Sequence, residues 1–195
     1  EGLDESDRVV LLQPANSSDQ SEDAFDEVAD VLTPVVPDLE LESEQLPYTD
    51  FVDTTPLCSA LIQAAESETI VILGGGAREI LLPLTVATFS NENHIDTVLQ
   101  IGDIDSSVRR VPQLNLRGNV SNAEAKLLAD LTALDTPLSI SEIATELEKS
   151  KSTVARHVDS LESEGFVQSA KEGRTKTVEQ TDSGRIFLNS RASNN

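Results

Sequence analysis

Through the first half of the chain, short runs of β-branched and leucine residues alternate with segments whose apolar residues recur every three to four positions. That alternation predicts a parallel sheet with helical crossovers. Four strands are read at Arg8–Gln13, Leu39–Glu42, Thr69–Leu73 and Thr97–Ile101, with a fifth near Val108–Val111. Thr69–Leu73 is apolar throughout, so it is expected at the sheet's centre. Helices are expected at Ala24–Leu32, with Phe25, Val28, Ala29 and Leu32 on one face, and at about Leu57–Glu66. A third, about Arg78–Phe89, has almost no polar face: Ile80, Leu81, Leu82, Leu84, Val86, Ala87 and Phe89 surround it, and Pro83 is expected to kink or displace its first turn. Either that helix is buried on all sides in a monomer, or the sheet covers one side and a second subunit the other. The homodimer is the reading adopted. Glu1–Asp7 reads as a loop entering the first visible strand, so an upstream strand and helix of the same sheet are expected to be missing from the sequence.

The alternation stops between Gln113 and Asn122, and Gly118-Asn-Val-Ser121 marks the expected boundary between one domain at 1–118 and another at 119–195. Beyond it a helix is read at Ala123–Leu134, capped by Ser121 or Asn122, with Leu127, Leu128, Leu131 and Leu134 as its apolar stripe. After a turn at Asp135–Pro137, Ser139 and Glu142 stand at capping-box spacing and open a short helix through Glu148 that faces Ile143, Ala144 and Leu147 inward. Lys149-Ser-Lys151 forms the next turn. A helix from about Ser152 to Glu164 buries Val154, Val158 and Leu161, and Gly165 stands where a left-handed C-cap belongs. Phe166–Ser169 and Thr175–Glu179 then form a hairpin around Lys171-Glu-Gly-Arg174, and Arg185–Leu188 a last helix that packs on the first.

Helix, short helix, basic turn, helix and basic hairpin, in that order, predict a winged helix-turn-helix and double-stranded DNA as partner. On the third helix Ser152, Thr153, Arg156 and Ser160 are expected to point away from the apolar stripe, with His157 at its edge and Lys149 and Lys151 just ahead. Small hydroxyls allow close approach to base edges, and an arginine can pair with guanine through two hydrogen bonds. Asp159, Glu162 and Glu164 make the far end negative, so the N-terminal half is expected to enter the major groove. On the hairpin, Lys171, Arg174 and Lys176 are the expected phosphate ligands.

A net charge of −21 sits badly with a polyanionic partner until it is divided along the chain. Residues 1–120 hold 23 acids against five arginines and no lysine, whereas residues 121–195 hold 12 acids against nine bases. Abundant acids, little lysine and no Trp or Met fit a salt-loving cytoplasm, where screening removes the self-repulsion. The apolar-periodic segments exclude a disordered acidic chain. No apolar run approaches a membrane span and no signal-peptide pattern opens the chain, so a cytoplasmic location is expected. Cys58, the single cysteine, cannot form an internal disulfide, and its Leu and Ile neighbours point to helix packing. No catalytic residue, metal site or cofactor is assigned.

Thr69–Leu73 runs into Gly74-Gly-Gly76, then Ala77 and Arg78 at the start of a helix. Three glycines let a ligand approach free backbone N–H groups, which makes Gly74, Gly75, Gly76, Ala77 and Arg78 an anion site in principle. The turn lacks Gly-Lys-Ser/Thr, so it is not a Walker loop, and Glu79 replaces the last glycine of a dinucleotide fingerprint. With no general base or nucleophile beside it, binding is expected rather than turnover.

The run Ser141-Glu-Ile-Ala144, Ser150-Lys-Ser-Thr-Val-Ala-Arg-His157, Leu161-Glu-Ser-Glu-Gly165 and Thr181-Asp-Ser-Gly-Arg185 resembles archaeal winged-helix regulators related to the MarR and ArsR groups. The whole chain, an α/β protein with an N-terminal doubly wound, Rossmann-like sheet domain followed by a winged helix-turn-helix, resembles the CARF-domain regulators encoded beside archaeal CRISPR loci, of haloarchaeal type. The resemblance implies dimerised sensor domains that bind cyclic oligoadenylate, a nucleotide second messenger, across the two-fold axis, using a first-strand motif and a Gly-Gly-Thr-Arg/Lys turn. Gly75, Gly76 and Arg78 match that turn, Ala77 stands where Thr is usual, and the first-strand motif belongs to the expected upstream strand. Two alternatives stay open: a ring nuclease that cleaves cyclic oligoadenylate, and a DNA-binding regulator that senses no ligand and has no connection to CRISPR.

Overall fold

The computed structural model describes residues 3–4, 6–15, 19–112, 114–115, 118–134, 137–172 and 175–192. The chain divides into two compact units, Glu1–Val111 and Pro112–Asn195. The division falls ahead of Gly118 because the intervening segment packs on the second unit: the Asn115 side-chain amide donates to the Glu164 carbonyl at 2.9 Å, and its backbone N–H to Ser183 Oγ at 3.1 Å.

The first unit runs β1 (Arg8–Pro14), α1 (Asp19–Leu32), β2 (Glu40–Leu46), α2 (Phe51–Gln63), β3 (Ile70–Leu73), α3 (Arg78–Ser90), β4 (Thr97–Ile101) and β5 (Val108–Val111). β1 pairs with β2 in parallel, and β3 with β4 in parallel; β5 adds to β4 antiparallel. Among the described residues these form two sheets, β1-β2 and β3-β4-β5. The two share one core with α2 and α3, built from Leu46, Cys58, Ile62, Val71, Leu73, Ile80, Ala87, Ile95 and Val98, with Leu12 packed against it.

The expectation that Thr69–Leu73 is central is not met among the described residues, where β3 lies at one end of the β3-β4-β5 order and pairs with β4. Val71 and Leu73 are buried, while Ile70 and Ile72 are each 52% exposed. An all-apolar strand does not reveal from its sequence which of its faces is covered, because alternation is the signal that separates them.

α2 begins at Phe51, earlier than the expected Leu57, because Asp50 caps it by accepting from the N–H groups of Val52 and Asp53 at 2.7 and 3.3 Å. The helix then continues through Pro56, and the Thr54 and Thr55 hydroxyls donate to the carbonyls four residues back at 2.7 and 2.8 Å. Cys58 is fully buried, which pushes its thiol pKa up and fits the packing role expected of it. α3 likewise runs through a buried Pro83 and packs Ile80, Ala87 and Thr88 inward. Leu82 (59% exposed) and Val86 (44%) stay open, so within the first unit the helix is not buried on all sides.

The second unit runs α4 (Asn122–Ala133), β6 (Leu138–Ser139), α5 (Ile140–Glu146), α6 (Lys151–Ser163), β7 (Val167–Glu172), β8 (Thr175–Gln180) and α7 (Asp182–Ala192). Two reciprocal capping boxes start its first two helices, Ser121 with Glu124 and Ser139 with Glu142. The helical stripes meet in one core: Leu127, Leu128, Leu131, Ile143, Ala144, Val154, Val158, Leu161, Phe166, Val167 and Val178. β6, β8 and β7 form an antiparallel sheet in that order, and α7 packs on α4. The short strand β6 was not readable, since two residues leave no periodicity to detect.

Two helix ends use the same device. After α6, Gly165 adopts φ +72°, its N–H reaching the Glu162 carbonyl at 3.0 Å and the Phe166 N–H the Leu161 carbonyl at 2.9 Å. After α5, Glu148 adopts φ +51°, with Glu148 N–H on Thr145 and Lys149 N–H on Ala144 at 3.2 and 2.9 Å. Both are Schellman ends, but the second forces a side-chain-bearing residue into the left-handed region. Glu148→Gly is therefore expected to raise the unfolding free energy by about 1 kcal/mol and Gly165→Ala to lower it by about 1 kcal/mol. Urea denaturation followed by circular dichroism checks both, and a loss of stability in Glu148→Gly contradicts the strain assignment.

Candidate nucleic-acid interface

The buried stripe of α6, Val154, Val158 and Leu161, fixes what the helix turns outward: Ser152, Arg156, Asp159 and Ser163 are exposed along the opposite side. Its N-terminus is organised by Ser150, whose hydroxyl accepts from the Thr153 N–H at 3.2 Å and lies 2.8 Å from Thr153 Oγ1 and 3.0 Å from Ser152 Oγ. Thr153 is thus half-buried and engaged in the cap, whereas Lys151 and Ser152 remain exposed. The end of the helix that carries no acid in its first turn also carries the positive end of the helix dipole, so phosphate is favoured there on both counts.

Several residues expected at the interface are tied inward instead. Lys149 reaches back to Asp130 on α4, Nζ to Oδ2 3.4 Å. His157 is half-buried, with Nε2 3.3 Å from Arg156 Nη2 and Nδ1 enclosed without a hydrogen-bond partner. Ser160, expected outward, is half-buried beside Glu124 of α4. The hydroxyls of Ser121 and Ser160 and the Ser121 N–H hold the Glu124 carboxyl at about 2, well below its ordinary 4.5. That carboxylate joins the start of α4 to the middle of α6. Ser121 and Glu124 stand at the same spacing as Ser139 and Glu142, so the capping half of this arrangement was legible in the sequence and the Ser160 contact was not.

On the hairpin, Lys171 of β7 stands opposite Lys176 of β8. Lys171 is exposed. Lys176 is engaged with α6, its Nζ 2.7 Å from Glu162 Oε2 and 3.4 Å from Asp159 Oδ1. Arg174 lies outside the described residues. Lys151, Ser152, Arg156 and Lys171 are therefore the expected contacts that the structure presents to solvent.

The glycine turn of the first unit separates into two parts. A Cβ on Gly74 would lie 2.7 Å from Ile101 Cβ, so this glycine serves the packing of β3 against β4. Gly75 (φ +67°) and Gly76 (φ +69°) are left-handed, with nothing within 4 Å of a Cβ at either position. Ala77 caps α3 without a side-chain hydrogen bond, and Arg78 is exposed in the helix's first turn. A backbone cradle, a helix N-terminus and a guanidinium together suit an anion. Among the described residues no His, Cys, Asp and Glu cluster is placed to hold a metal ion, and no helix is long and apolar enough to cross a membrane.

The family model described as the Csa3 CRISPR-associated Rossmann-like domain matches residues 1–110, more than half of the chain. The chain belongs to that family. In this Csa3-family chain a second model, the IclR helix-turn-helix domain, matches residues 125–170, from within α4 into β7. The chain thus joins a CRISPR-associated Rossmann-like domain to a helix-turn-helix domain. Similar solved structures include MepR, a transcription regulator of the Staphylococcus aureus multidrug efflux pump MepA, at 23% identity over 38% of this chain and 57% of that one, TM-score 0.36. A Staphylococcus aureus MepR-DNA complex is similar at 23% identity over 38% of this chain and 63% of that one, TM-score 0.35. The adhesin competence repressor AdcR of Streptococcus pyogenes is similar at 18% identity over 40% and 57%, TM-score 0.34. Each match spans less than two thirds of the solved chain. No curated protein matches.

Arg156→Ala is expected to weaken binding to a preferred duplex by about 1–3 kcal/mol and to relax sequence preference, whereas Lys171→Ala weakens all duplexes alike. Gel shifts on matched and scrambled probes check this; an equal loss on both probes removes Arg156 as a base reader. Glu124 generates an acid-stability prediction. Its folded pKa lies below its unfolded one, so its contribution is complete above about 4.5 and is lost as pH falls toward about 2. Across that window Glu124→Gln should flatten the fall of the melting temperature seen in the wild type, and parallel curves contradict the link.

Proposed function

We propose that the protein regulates CRISPR-associated genes as a homodimer, seating the N-terminal half of α6 in the major groove and holding a cyclic oligoadenylate or related nucleotide at Gly74–Arg78. The observation that carries the DNA part is the exposed Lys151, Ser152 and Arg156 on a capped, acid-free helix end, in a unit whose hairpin exposes Lys171. Direct readout needs side chains of this kind at the N-terminal end of a recognition helix. The ligand part is supported by the open, left-handed Gly75 and Gly76 beside Arg78. Their backbone suits phosphate, and purine rings would contact neighbouring surface.

The exposed Leu82 and Val86 on α3 support the second subunit, since an apolar strip in a chain of charge −21 is a place where two copies meet without like charges opposed. The same acidity suits a concentrated intracellular salt, where counterion release adds little to DNA affinity and base and shape contacts must decide the site. A ligand that favours one spacing of the paired winged helices would then set occupancy of a palindromic operator.

Titration calorimetry with cyclic tetra-adenylate tests the sensor. Wild type is expected to bind and Arg78→Ala to lose about 1.5–3 kcal/mol, the worth of a charge-assisted hydrogen bond. Heat unchanged by the mutation overturns the glycine-turn site. Radiolabelled ligand recovered intact after prolonged incubation is the accompanying expectation; its conversion to linear product overturns the regulator-only reading in favour of a ring nuclease.

A further inference from the structure

The outward stripe of α6 carries an anomaly: Asp159 follows Arg156 on the exposed side, and Glu162 stands one residue beyond the buried Leu161. Two carboxylates on a helix that approaches phosphate oppose binding, and the repulsion is strong where water is excluded. Lys176 crosses from β8 to lie between them, 2.7 Å from Glu162 Oε2 and 3.4 Å from Asp159 Oδ1. Its side chain is 40% exposed, against 68% for Asp159 and 35% for Glu162. Ion pairs this open contribute little to folding stability. What such a pair does change is the field that an approaching duplex meets.

We propose that Lys176 is a positioning and charge-masking residue: it pins the hairpin to α6 and neutralises the carboxylates beside the DNA-reading stripe, and it does not itself bind phosphate. This rests on the DNA-binding reading above. The contact lowers the carboxyl pKa of Glu162 and raises the ammonium pKa of Lys176, so both partners keep their charges at neutral pH. The division of labour on the hairpin follows from engagement: Lys171 is exposed and contacts the backbone, while Lys176, its ladder partner on the same face, is held by the carboxylates of the helix.

The test is a mutant cycle on binding of a mixed-sequence duplex over a range of potassium chloride, using wild type, Lys176→Met, Asp159→Asn/Glu162→Gln and the triple variant. Methionine keeps the aliphatic stem, and melting curves confirm that each variant folds. Lys176→Met is expected to cost about tenfold in the wild-type background and much less in the acid-free one, where nothing is left to unmask. Equal losses in both backgrounds, with the salt slope reduced by about one in each, would make Lys176 a phosphate ligand and overturn the mask. A second readout needs no variant. The Lys176 ammonium signal in nitrogen-15 NMR should be unmoved by saturating duplex, and its displacement overturns the proposal. Wild type that binds no duplex at any salt overturns the DNA reading and the mask together, an outcome distinct from equal losses.

Discussion

Phe166 is the point on which the second unit depends. Fully buried, it follows the glycine that ends α6 and precedes β7, so it joins the helix to the hairpin. Its N–H closes the Schellman end on Leu161, its carbonyl accepts from the Thr181 N–H at 3.1 Å, and its ring lies 4.9 Å from that of Phe187 on α7. Glycine is required around it: a Cβ on Gly118 would come within 2.3 Å of the ring, and one on Gly184 within 2.3 Å of the carbonyl oxygen. Helix, hairpin, entering segment and last helix are thereby locked in one arrangement, and the direction of Arg156 is a consequence of that lock.

Burial of a single stripe then determines what faces the solvent. Val154, Val158 and Leu161 are held at no more than 1% exposure, which leaves α6 no freedom to rotate, and the exposed side chains become a fixed ridge. Capping refines that ridge by withdrawing Thr153, while Glu124 withdraws Ser160. The acidity of the chain is handled locally. Carboxylates near the ridge are each given a donor, Glu124 by serines and Glu162 by Lys176, so the net charge of −21 describes the molecule without describing the surface that matters.

Much of the second unit was legible because its signals are local. Ser139 with Glu142, Gly165, and the 3.6-residue stripes of Leu127 to Leu131 and Val154 to Leu161 each specify one backbone state and one inward face. The first unit was less legible where the signal depends on neighbours. β3 reads as central because it has no polar residue, yet its sheet position is decided by which strands pair with it. α2 was expected from about Leu57, whereas the Asp50 cap sets its beginning at Phe51 and the helix runs on through Pro56. In the site, residue type identified the bases but not their partners: Lys149 and Lys176 look free in sequence, and Asp130 and Glu162 engage them through contacts 19 and 14 residues away.

The central claim is that the ridge at the start of α6 meets duplex DNA. Amide chemical-shift mapping by NMR during titration with duplex DNA addresses it most directly. The largest changes should cluster at Lys151 to Arg156 and at Lys171, with Val154 and Val158 side chains unmoved. Changes confined to other surfaces, with those amides unaffected at saturation, would contradict it.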